Sequence, residues 1–124
     1  MKYKITWAKK LVCVDYFGEV KSKDIEDAHF ELNGDGRFYD CNYMILNISE
    51  CDLSNVSVAA LFRVIATDLG ATKMNPNLKV AMITTNSINI EKASDYIERN
   101  RATCTPWEFK ILPSINEAQE WFAA

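Results

Sequence analysis

An α/β fold built on a mixed sheet is predicted for this chain, and three observations predict it. Two near-continuous apolar runs, "YMILNIS" (Tyr43–Ser49) and "LKVAMITT" (Leu78–Thr85), lack alternation, as central strands covered on both faces do. Helical apolar periods lie between these runs and after the second. Ahead of them, a period-two alternation folds back on itself as a hairpin. Strands alternating with helices imply parallel, right-handed crossovers, and the hairpin adds one antiparallel strand. The predicted order is ββαβαβαβα in one domain spanning residues 1–124, a length that suits a single core.

Each element has a local reason. Tyr3, Ile5 and Trp7 alternate with Lys2, Lys4 and Thr6, and "AKK" leads tightly into the second strand, "LVCVDYF". Ser22 is placed to cap "KDIEDAHFELN", whose Ile25, Ala28 and Leu32 share a face; Asp24, Glu26 and Asp27 sit in the first turn, where the helix dipole favours negative charge. Gly34 and Gly36 end that helix. A second helix is expected from Val58 to Leu69, stopped by Gly70, and a third over "INIEKASDYIERN" with Ile90, Ala93 and Ile97 in register. "WEFKIL" alternates as an edge strand. Ser114 and Glu117 then form a capping-box pattern ahead of "INEAQEWF".

Composition narrows the functional classes. The net charge of −3 and the scattered lysines argue against nucleic acid, which needs a concentrated basic face. No segment reaches membrane-spanning length, and the apolar stretch near the N-terminus is too short for a secretory signal, so a soluble cytoplasmic protein is expected. The four cysteines, Cys13, Cys41, Cys51 and Cys104, show no Cys-x-x-Cys spacing; they read as free thiols, Cys13 in the core and the other three near loops and partly exposed. "NGDGRF" (Asn33–Phe38) resembles the middle of a calcium loop, but Glu31 and Asn42 stand where Asp and a bidentate Glu belong, so a glycine-rich turn is the reading. His29, the single histidine, is expected at the border of a buried face with no nucleophile to serve. Phosphate-binding loops are absent. No cofactor, metal or catalytic residue is expected.

The carboxyl edge of the predicted sheet gathers Gly18, Ser49, Ser57, Thr84, Thr85, Asn86 and Ser114 close to helix starts. Ligands of open α/β sheets bind at this edge, and helix caps require the same residue types. Behind Ser57, the helix from Val58 to Leu69 is apolar over most of its girth. Val58, Leu61, Phe62, Ile65 and Leu69 form its main stripe, and only Arg63, Thr67 and Asp68 are clearly polar. Such a helix is either deeply packed or covers a partner or an apolar ligand.

Together, the hairpin, "YFGEVKSKDIEDA", "YMILNIS" followed by "DLSNVSVAAL", "KVAMIT" and the ending "FKILPSINEAQEWF" resemble the STAS superfamily, and within it the SpoIIAA-like bacterial proteins described as STAS/SEC14-related. The likeness covers nearly the whole chain and implies a SpoIIAA-like fold. In the antagonists of that superfamily, a partner kinase phosphorylates a serine at a helix start within an Asp-Ser-Ser-Gly motif. The matching place here reads "NVSV", which puts Ser57 near the phosphoacceptor position without the motif's aspartate, second serine or glycine. Ser57 is thus either a helix cap or a phosphoacceptor. The resemblance implies a non-enzymatic cytoplasmic module acting through contacts with a protein partner or as a homodimer. Its contact surface is expected at Ser54, Val58, Leu61, Phe62 and Ile65. The SEC14 side of the resemblance implies the alternative, a carrier of a small apolar or lipid-like ligand held between that helix and the sheet.

Overall fold

In the computed structural model, which describes residues 2–124, Tyr3–Ala8 (β1) and Leu11–Tyr16 (β2) form the antiparallel hairpin, with Tyr3 opposite Tyr16 and Ala8 opposite Leu11. Tyr43–Asn47 (β4) lies parallel to β2, and Lys79–Ile83 (β6) lies parallel to β4, with Tyr43 opposite Lys79. Glu108–Leu112 (β7) closes the far edge, giving the order β1-β2-β4-β6-β7. The two greasy runs are neighbours in one direction, as the lack of alternation predicts. Two further strands, Gly18–Glu19 (β3) and Cys51–Asp52 (β5), pair parallel beyond the carboxyl edge. At two residues each, they are too short to carry a sequence signal. Gly18 adopts φ +63, the left-handed region that costs a side chain free energy, and its N–H donates to Glu50 O at 3.2 Å.

The central strands feed two cores. Met44, Leu46, Val80 and Met82 point with Val12 and Val14 toward helices Ser22–Asn33 (α1), Val58–Met74 (α2) and Ser87–Ala102 (α3). Ile45, Ala81 and Ile83 point the other way, against Ala118 and Phe122 of Ile115–Ala123 (α4). Apolar residues are therefore needed at every position, and the alternation vanishes. β1 sits at the rim, so its pattern keeps period two.

Helix α2 departs from the expectation. It runs through Gly70 to Met74 and ends at Asn75, ahead of Pro76. Gly70 lies on the exposed side, while Ala71 and Thr72 continue the buried face. A mid-helix glycine costs about 1 kcal/mol against alanine, less than the burial that follows it supplies. Outside the helix's own backbone and its chain neighbours, no atom of the described residues stands within 4 Å of where a Cβ at Gly70 would sit. Gly70→Ala is therefore expected to stabilise the protein by about 0.5–1 kcal/mol, a rise of roughly 2–4 °C in a thermal melt.

Cys41 and Cys51 are buried rather than partly exposed; only Cys104 of the expected loop thiols lies open. Burial first, then the nearby carboxylates Asp15 and Asp52, push the Cys13 and Cys51 thiols up to about 12. Tyr16 and Tyr96 are raised by burial and by Asp68. All four groups hold their protons in the folded state after the unfolded chain has lost them. Stability should therefore be level below about pH 9 and fall from there toward pH 12. Urea midpoints measured under reductant at pH 8 and 10.5 will show the drop, and Cys13→Ala with Cys51→Ala should flatten it.

Candidate functional site

The N-terminal end of α2 is assembled from three elements. Ser57 occupies the cap, and its Oγ accepts from Ala60 N–H at 3.1 Å, an arrangement worth about 1 kcal/mol. Its own N–H donates to Ser22 Oγ at 3.1 Å, and the two hydroxyls are 3.4 Å apart. Ser22 is thus spent on the neighbouring helix. The start of α1 is satisfied instead by Asp24, whose Oδ2 accepts from Lys21 N–H at 2.9 Å, which corrects the expected Ser22 cap. The preceding loop is drawn tight: Asp52 Oδ1 accepts from Ser54 N–H at 2.9 Å, and hydrogen bonds from Ser54 hold that carboxyl below its usual range.

A fully buried side chain of α3 fastens this loop. Asn89 Nδ2 donates to Ile48 O at 2.9 Å and to Cys51 O at 2.8 Å, and its Oδ1 accepts from Leu53 N–H at 3.2 Å. Lys92 Nζ adds a bond to Val56 O at 2.7 Å. Of the other polar residues of the carboxyl edge, Asn86 and Ser114 cap helices: Asn86 Oδ1 accepts from Ile88 and Asn89 N–H, and Ser114 Oγ from Glu117 N–H, whereas Ser49 Oγ donates to Asn47 Oδ1 and Thr84 Oγ1 accepts from Asn86 N–H.

On the expected contact surface, the structure divides the residues. Ser54, Ser57, Val58 and Phe62 are exposed, Val58 at 45% and Phe62 at 52%, with the Arg99 guanidinium 4.7 Å above the Phe62 ring. Leu61 and Ile65 are buried, together with Ala60 and Val64, and contribute to the core instead. The stripe is rotated from the expected one because Asp68 belongs to the inner face.

Asp68 is the residue that the sequence hides. It is 1% exposed, and three donors from two other helices converge on it. From α1, His29 Nδ1 lies 3.0 Å from Oδ1 and Asn33 Nδ2 donates to the same oxygen at 3.2 Å; from α3, the Tyr96 hydroxyl donates to Oδ2 at 2.8 Å. His29 is buried rather than at a border, and it has a partner after all. The cluster fixes α2 against α1 and α3, and so fixes the posture of Val58 and Phe62. The adjoining cavity, lined by Tyr16, His29, Leu61 and Tyr96, measures about 40 Å³. A cavity that accepts benzene is about 150 Å³. The apolar-ligand expectation therefore finds no room for a lipid between α2 and the sheet.

Among the described residues, no helix is long and apolar enough to cross a membrane. No sequence-family profile and no curated protein matches the chain. Solved structures do. An uncharacterized protein of the DUF3478 family with a SpoIIAA-like fold, from Shewanella loihica PV-4, superposes with a TM-score of 0.61 at 18% identity, covering 96% of this chain and 90% of that one. The anti-sigma factor antagonist SpoIIAA in its unphosphorylated form superposes with a TM-score of 0.53 at 12% identity, covering 98% of this chain and 96% of that one. The chain therefore has the SpoIIAA-like fold, as its sequence resemblance implies.

Proposed function

We propose that this protein is a regulatory binding module that works through protein contacts at the N-terminal end of α2, with Ser57 as the position where phosphate controls them. The observation that carries the reading is the exposure of Val58 and Phe62 within the two turns that follow an accessible serine cap. The likeness to an anti-sigma factor antagonist supports it. A phosphate on Ser57 would add nearly two negative charges at a helix N-terminus. The helix tolerates that charge well, and an apolar partner face does not.

Phe62 is exposed, so Phe62→Asp should leave the melting curve nearly unchanged. Association, read by sedimentation velocity and by a photo-crosslinker placed at Ser54, should be lost in Phe62→Asp and altered in Ser57→Asp. A chain that stays monomeric and gains no adduct from Ser54 in extracts of its native cells would contradict the reading.

A further inference from the structure

A second surface lies on α1, away from the Ser57 end. Phe30 is 77% exposed, the most open of the large apolar side chains among the described residues. It stands eight residues beyond Ser22, about 12 Å along the helix axis. Tyr3, Asp27, Glu31 and Asp35 join it around a wide, shallow groove of about 760 Å³, and among the described residues no basic side chain lines it. Gly36 leaves one end clear, with no atom of the described residues beyond its chain neighbours within 4 Å of where its Cβ would stand.

The charge of the chain is concentrated here. Of the 17 acidic residues, six (Asp24, Glu26, Asp27, Glu31, Asp35 and Asp40) lie between Ser22 and Asp40, against two of the 14 basic ones, Lys23 and Arg37. The rest of the chain is close to neutral. Lys23 pairs with Asp27 and Arg37 with Asp35, both at 2.7 Å, and Arg63 of α2 pairs with Glu26 at 2.6 Å. Exposed pairs of this kind contribute little and exchange readily for an incoming cation. The negative field reaches the groove floor: Tyr3 donates to Glu31 Oε1 at 3.1 Å, and burial, that bond and the charges of Glu31, Asp27 and Asp24 raise the phenol's pKa.

We infer that this groove is a docking site for a basic segment of another protein, one that lays an apolar side chain on Phe30 and lysine or arginine side chains beside Asp27, Glu31 and Asp35. The charge selects the class of occupant. Nucleic-acid phosphates and anionic bilayers are repelled by the three carboxylates that line the groove, Asp27, Glu31 and Asp35, and an exposed aromatic ringed by acid is complementary to an amphipathic basic chain. The inference stands on α1 and does not depend on Ser57 or Phe62.

The test titrates the full chain into a fluorescein-labelled amphipathic helical peptide of leucine and lysine, with a leucine–glutamate peptide as control. The lysine peptide should bind, more weakly as salt rises, and the glutamate peptide should not. Phe30→Ser, and separately Asp27→Lys with Glu31→Lys, should each weaken binding about tenfold or more, whereas Phe62→Asp leaves it unchanged. All three substituted α1 side chains are exposed, so Phe30→Ser should keep the parent's thermal melt, and Asp27→Lys with Glu31→Lys, which gives up the Tyr3–Glu31 bond and the Lys23–Asp27 pair, should stay folded with only a small drop. Equal binding of the two peptides overturns the inference. So does a loss that follows Phe62→Asp instead of the α1 substitutions. Sedimentation equilibrium showing a dimer that Phe30→Ser dissolves would assign the groove to a second copy, and co-sedimentation with phosphatidylglycerol vesicles would assign it to a membrane; either result also overturns it.

Discussion

Asp68→Ala is expected to cost about 3–5 kcal/mol, the range for removing one member of a buried polar or ionic cluster. Typical domains hold only about 5–15 kcal/mol in total. The size follows from what remains behind. His29, Asn33 and Tyr96 would each keep a donor that had pointed at a carboxyl oxygen, and His29 and Tyr96 are 3% and 4% exposed, so bulk water does not replace the lost acceptor. Asp68→Asn keeps one oxygen for His29 and Asn33 and turns an amide toward the Tyr96 hydroxyl, so it should cost clearly less. Removing two of the donors as well, in a chain carrying Asp68→Leu, His29→Leu and Tyr96→Phe, should recover part of the loss, because an apolar core of similar volume leaves only the half-buried Asn33 amide without its acceptor. Urea unfolding of the three variants gives the ranking. An Asp68→Ala loss below about 1 kcal/mol would mean that the three helices are not held by this cluster.

The same residue explains where sequence reading succeeded and where it stopped. Strand direction and the two-sided sheet were legible because Tyr43–Ser49 and Leu78–Thr85 violate alternation, and only parallel strands covered on both faces require that. Ser57 was legible as a boundary, since a hydroxyl ahead of an apolar helix has a local reason to be there. The phase of α2 was not. An aspartate scores as outward by composition, and turning it outward rotates the stripe onto Val58 and Phe62. Its actual direction is set by His29 and Tyr96, 39 and 28 residues away in the chain. Long-range polar pairing leaves no periodic trace. Gly70 misled for a related reason: its helix penalty is local, while the burial of Ala71 and Thr72 that outweighs it is tertiary. The acidic run of α1 was visible as a first-turn preference. Its role as a face became legible only with Phe30 standing open in its middle.

Asn89 carries the second large prediction, and it joins stability to the site. Its amide satisfies two carbonyls and one N–H in the loop that delivers Ser54 and Ser57 to the start of α2. Neither β5, at two residues, nor the loop's own turns can hold that backbone alone. Asn89→Ala leaves Cys51 O and Leu53 N–H without these partners and Ile48 O with only the weak Cys51 thiol bond at 3.7 Å, and it should cost about 2–4 kcal/mol. The damage should also be local: amide hydrogen exchange ought to accelerate first at Leu53, Ser54 and Val56, ahead of β4 and β6. Asn89→Asp is the sharper variant. It keeps the oxygen that accepts from Leu53 but aims a second oxygen at the carbonyls of Ile48 and Cys51, where two N–H donors had been. Burial and these facing carbonyls raise the new carboxyl's folded pKa above its unfolded value. The variant should then be least impaired in acid and lose stability as pH rises through that folded pKa. Urea midpoints of Asn89→Asp that improve from pH 5 to pH 8 would show that the amide is not the fastener of this loop. The opposite slope, midpoints that fall from pH 5 to pH 8, would place the presentation of Ser57 under the control of a side chain on a different helix.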